Sequence, residues 1–144
     1  MKVFFDTSVL IAAFVMAHPE HENSLPWLQK VKKKEIVGVI SVHSLLESYS
    51  ILTTLPLSPK IHPSLAVNLI KENVISNFEI IKYNTDDYIR LLNELASENI
   101  FSGASYNGLI LYAAKKINID KILTLNLNDF IRIAPQFVRL ISMP

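Results

Sequence analysis

The chain has 144 residues, half of them apolar, with 14 Lys and Arg against 13 Asp and Glu for a net charge of +1. That is the size of one ordinary domain, able to bury a core without staples. It contains no cysteine, which excludes disulfides, thiolate zinc sites and thiol nucleophiles, and the near-neutral charge neither announces nor excludes a nucleic-acid partner.

Lys2 to Phe5 reads as a short strand covered on both faces. Asp6, Thr7 and Ser8 follow as capping residues, and Val9 to Met16 continues as a helix. The apolar run Val9 to Ala17 is too short to span a bilayer, and Asp6 interrupts any export helix. The expectation is a soluble, cytoplasmic protein with no membrane segment. Asn23 to Lys32 has helical spacing and ends in lysines, as a helix dipole favours. Glu35 to Ile40 is the next strand, and Ser41 caps a helix in which Val42, Leu45, Leu46 and Tyr49 have the period of a buried face. Pro56 to Pro63 is turn-rich, and Ser64 to Ile75 is an amphipathic helix. Phe78 to Tyr83 is a candidate strand, and Thr85, Asp86 and Asp87 open a helix to about residue 98. Ser102-Gly103 breaks the chain before a helix over Ala104 to Lys116. Lys121 to Thr124 is a strand, Asn126 to Phe130 a tight turn, and Phe137 to Ile141 the expected last strand. Strands alternate with helices throughout, which predicts a single α/β domain with a mostly parallel sheet flanked by helices. Neither GxGxxG nor GxxxxGK[ST] occurs, so a dinucleotide fold or P-loop has no direct support.

In an open parallel sheet, ligands sit beyond the C-terminal ends of the strands. Asp6 ends the first strand, Asn126 and Asp129 follow the strand at Lys121, and Glu47 lies in the helix after Ser41, one turn beyond His43. A cluster of carboxylates needs neutralising, and a hard divalent cation does this with oxygen ligands. Each acid also has an ordinary structural role: Asp6 and Asp129 as caps, and Glu47 as a helix-edge residue reaching solvent.

Three segments together resemble the PIN domain, in particular the toxin ribonucleases of VapBC-type toxin–antitoxin pairs. MKVFFDTSVLIAAF is similar to the family's opening, SVHSLLESYSILTTLP to its second segment and ILTLNLNDF to its closing strand and turn. The resemblance covers nearly the whole chain. It implies a three-layer PIN-like fold, with Asp6, Glu47 and Asp129, helped by Asn107, as catalytic residues holding Mg2+ or Mn2+, and Thr7, Ser8, Thr124 and Asn126 in support. It implies a metal-dependent endoribonuclease with an RNA substrate, a small antitoxin as partner and a homodimeric state. In FSGASYNGLILYAAK the position usually held by a third Asp is Asn107, which keeps a carbonyl oxygen and loses the charge. A naturally attenuated site, an engineered inactivating change and a slightly shifted alignment each account for it. A second reading is a non-catalytic PIN-like module that interacts with RNA or protein. A third, a receiver-like phosphotransfer domain, needs a lysine at a late strand's C-terminal end, and Lys121 lies at the wrong end.

The lysine run from Lys30 to Lys34 precedes a strand, and Lys115 and Lys116 end the helix that holds Asn107. Both groups are expected away from the acidic end. His43 and Lys60 are the better-placed basic side chains.

Overall fold

β1 (Lys2–Phe5) sends Val3 and Phe5 to one helical layer and Phe4 to the other, all three fully buried. This two-residue alternation is that of a strand covered on both faces. A computed structural model describes residues 1–144. α1 (Thr7–Phe14), α2 (His21–Lys32), β2 (Val37–Ser41), α3 (His43–Thr54) and α4 (Pro63–Ile70) follow, and α4 runs on through a π turn over Lys71–Ile75. Then come β3 (Glu79–Ile81), α5 (Thr85–Ser97), α6 (Ala104–Ile117), β4 (Lys121–Leu123), α7 (Leu127–Ile133), a 3-10 turn (Pro135–Phe137) and β5 (Ile141–Ser142).

The sheet order is β3-β2-β1-β4-β5, and every neighbouring pair is parallel. The expected mostly parallel sheet is therefore wholly parallel. α1 to α4 pack over Val3, Phe5, Ile40 and Leu123. α6 and α7 cover Phe4, Val39 and Ile122. α5 lies on α6 through Leu91, Leu95 and Leu109. These are the three layers of an α/β sandwich. Gly38 makes one close approach in the sheet: a Cβ there would come within 2.6 Å of the Phe78 ring and 2.7 Å of Val31. Phe78 packs edge-on against Phe5, with ring centroids 5.0 Å apart.

Three expectations differ. α3 turns Ser44, Ser48 and Leu52 inward, which leaves Val42 and Leu46 exposed. The segment from Asn126 coils into α7 because Phe130 is drawn into the core, where it is fully buried. The last strand begins only at Ile141, since Pro135 starts a 3-10 turn in which Pro135 and Gln136 are exposed. α5 opens at Thr85 as expected, and Asn84 caps it in a reciprocal capping box with Asp87. The Asp87 side chain accepts from Lys116 Nζ at 2.9 and 3.1 Å and from the Tyr112 hydroxyl at 3.0 Å, which ties α5 to α6.

Chain order places the topological switch at β1. The chain winds outward through β2 and β3, then crosses back to β4 and β5 on the other side of β1. The C-terminal ends of β1 and β4 therefore diverge into α1 and α7, leaving a crevice of the kind that binds ligands in open α/β sheets.

Candidate active site

Asp6 leaves β1 with extended backbone (φ −67°, ψ 150°) and precedes α1, but its side chain makes no capping bond to that helix. Its Oδ2 instead accepts two hydroxyls, from Ser8 Oγ at 2.6 Å and Thr124 Oγ1 at 2.8 Å. Each hydroxyl is itself fixed by a backbone N–H. Leu125 N donates to Ser8 Oγ at 3.1 Å, and Asn126 N donates to Thr124 Oγ1 at 2.9 Å. This relay stitches the first turn of α1 to the segment after β4. Both hydroxyl bonds fall on Oδ2, so Oδ1 receives neither.

Glu47 approaches from α3. Its Oε2 accepts from Thr7 Oγ1 at 2.6 Å and lies 3.8 Å from His43 Nε2. Thr7 is almost fully buried, so its hydroxyl fixes the carboxylate from below, while His43 sits one turn away on the same face of α3. Ser41, at the end of β2, accepts from the His43 N–H at 3.2 Å and so turns the chain into α3.

Asp6, Thr7, Ser8, Glu47, Asn107 and Asn126 line one cavity of about 210 Å³, together with His43 and Tyr106. No lysine or arginine lines it. Burial pushes the Asp6 carboxyl up from its ordinary value; the Ser8 and Thr124 hydroxyls pull it down, and the Glu47 charge pushes it up again. The two carboxylates thus share a pocket in which hydroxyl dipoles are the nearest compensation. No three His, Asp or Glu side chains in the structure form a cluster that could hold a metal. The lining offers two carboxylates and the Asn107 side-chain amide. It fits a magnesium-like ion, which commonly takes one or two carboxylates and keeps several waters.

Of the residues expected at the site, Asp6, Thr7, Ser8, Glu47, Asn107 and Asn126 line the cavity, and Thr124 supports it from full burial. Asp129 does not line it. α7 carries it one turn beyond Asn126, where its 58% exposed side chain pairs with Arg132 at 3.6 Å. The lysine groups also lie elsewhere. Lys115 and Lys116 pair with Glu94 and Asp87, Lys32 bonds Asn73, and Lys30 lies over Trp27. Lys121 starts β4 and approaches Ser142, away from Asp6, which removes the phosphoacceptor arrangement. His18 and His21 serve local backbone contacts with Glu20 and Ala12.

Tyr106 and Ser44 line the cavity without having been picked out from the sequence. For Tyr106 the available signal was its place in the first turn of α6, beside Asn107. Ser44 carried none, since a serine early in a helix is common.

A profile of the PIN domain matches residues 3–135. The chain is 32% identical over 123 residues to ribonuclease VapC40 of Mycobacterium tuberculosis, covering 85% of this chain and 84% of that protein. It is 31% identical over 109 residues to ribonuclease VapC27 of the same organism, covering 76% of this chain and 74% of that one. The fold superimposes on VapC20 of M. tuberculosis, a sarcin-ricin loop cleaving toxin, with a TM-score of 0.63 at 15% identity, covering 83% of this chain and 86% of that one. It superimposes on a chain of VapBC2 from Rickettsia felis, solved with a DNA fragment from their promoter, with a TM-score of 0.66 at 20% identity, covering 100% and 99%. With the parallel sheet and its acidic crevice, these matches mean that the chain belongs to the PIN domain family.

Proposed function

We propose that the chain is a metal-dependent endoribonuclease, the toxin of a toxin–antitoxin pair, with activity attenuated at Asn107. The observation that carries this reading is the meeting of Asp6 and Glu47, from separate elements, in a cavity with no lysine or arginine at the sheet's switch point. The ribonucleases VapC40 and VapC27, similar over most of the chain, support RNA as the substrate.

Asp6, Glu47 and the Asn107 amide oxygen would hold Mg2+ or Mn2+. When bound, such an ion supplies Lewis-acid stabilisation of phosphodiester charge and lowers the pKa of a water. The protein's part is positional. Ser8 and Thr124 fix the Asp6 carboxylate, Thr7 fixes Glu47, and Asn126 closes the β4 side. Asn107 contributes a neutral oxygen, which weakens the attraction for a dication relative to an Asp. Cleavage of single-stranded RNA by the Asn107→Asp variant with magnesium or manganese tests the assignment. The expected result is metal-dependent cleavage well above that of the chain as it stands; no cleavage in either metal would remove the nuclease reading.

Asn107 and the absence of a three-acid cluster favour a second reading, a metal-free binding module. Saturable manganese binding by the chain as it stands would exclude it.

The toxin reading implies a small antitoxin that reaches the acidic cavity, a homodimer and action in the cytoplasm. No helix is long and apolar enough to cross a membrane. Exposed Leu46 on α3 and Leu65 on α4, 73% and 49% accessible, are the surfaces offered for pairing. Light scattering should give a dimer mass, and Leu46→Asp should return a monomer.

A further inference from the structure

Tyr106 of α6 and His43 of α3 stack across the cavity mouth. Their ring centroids are 5.0 Å apart and their planes 11° from parallel. Tyr106 stays 58% exposed, so the stack orients the phenol ring without burying it. One face meets His43, and the ring lies one residue before Asn107 in the first turn of α6.

The charges around the cavity make this ring more than a surface tyrosine. RNA is ordinarily held by lysines and arginines on its phosphates. Here the lining is acidic, with no lysine or arginine, and Lys115 and Lys116 are committed to Glu94 and Asp87. Lysine and arginine therefore supply no phosphate contact in this lining, and a contact to the base would add to whatever a bound cation gives. An oriented, exposed aromatic ring supplies one, because every nucleobase has a face to stack.

We propose that Tyr106, oriented by its stack on His43, is the platform on which a base of single-stranded RNA docks next to the bond held at Asp6 and Glu47. This inference rests on the ribonuclease reading and adds a substrate-binding residue to it. A stack on both ring faces would require an unpaired base, so the site would take single strands in preference to duplex.

The test is fluorescence anisotropy of a short fluorescein-labelled single-stranded RNA on the chain as it stands, on Tyr106→Phe and on Tyr106→Ala. A second RNA series carries an abasic ribose at each position in turn. Loss of one stacked base should weaken binding about tenfold. Tyr106→Ala is expected to show that loss, and Tyr106→Phe to stay within about twofold because the ring remains. One abasic position should reproduce the loss on the parent chain and add nothing further in Tyr106→Ala. Equal binding by Tyr106→Ala would overturn the platform and leave the ribonuclease reading intact. A loss shared by Tyr106→Phe would assign the contact to the hydroxyl and overturn stacking. No RNA binding by any of the three proteins, with no cleavage by Asn107→Asp, would overturn both.

Discussion

Asp6 and Asp87 are both almost wholly buried, at 8% and 7% exposure, yet their surroundings drive them in opposite directions. Around Asp87 the chain supplies everything an anion needs. The Asn84 backbone N–H, the Lys116 ammonium and the Tyr112 hydroxyl converge on it and lower its pKa from 3.8 to about 2. Asp6 has two hydroxyls, the Thr7 backbone N–H and no cation, and a second carboxylate adds to the unfavourable field. A carboxylate with an internal counter-ion needs nothing further and holds α5 to α6. On the proposed reading, one held rigidly without a counter-ion takes its positive charge from outside.

The contrast breaks most sharply at the pocket. In the Asn107→Asp background, Asp6→Asn should lower metal-dependent RNA cleavage by more than about 100-fold, beyond the loss expected from a residue that only orients a ligand. Thr124→Val removes the buried hydroxyl on Asp6 Oδ2 and leaves the carboxylate itself. Manganese affinity measured by calorimetry should fall by about ten- to hundredfold. An unchanged affinity would mean that the hydroxyl relay has no part in preparing Asp6.

On the Asp87 side the effects are on stability. Because its folded pKa lies below its unfolded one, Asp87 stabilises the fold above pH 3.8, and that contribution is lost as the pH falls through about 2. Lys116→Met should lower Tm at neutral pH and flatten the acid limb between those values. Asn84→Ala removes one half of the capping box and should cost about 1 kcal/mol in urea unfolding. The smallest effect has the reverse sign. The raised pKa of Asp6 means that the metal-free fold loses stability as the pH rises above 3.8. Asp6→Asn should therefore raise the metal-free Tm at neutral pH.

The same contrast marks what could be read from the residues alone. β1 and the helix after it were legible because Val3, Phe4 and Phe5 form an unbroken apolar run ending in Asp6. The convergence of Asp6 and Glu47 was legible through the family-like segments, not through local pattern, since each acid alone has an ordinary helix-end role. α7 was not legible. Leu127 to Ile133 is only seven residues, and its helix depends on Phe130 reaching the core, a tertiary contact. Asp129 lies on that same helix, exposed and paired with Arg132. The link between Asp87 and Lys116 spans two helices and has no signature along the chain. Neither does the stack of His43 on Tyr106.

The central claim is that Asp6 and Glu47 form a prepared cation site, whereas Asp87 is already satisfied. Calorimetric titration of manganese into the chain, Asp6→Asn and Asp87→Asn tests it directly. The account predicts saturable binding to the chain, no binding to Asp6→Asn and unchanged binding to Asp87→Asn. No saturable binding to the chain, or binding that survives Asp6→Asn, would contradict it.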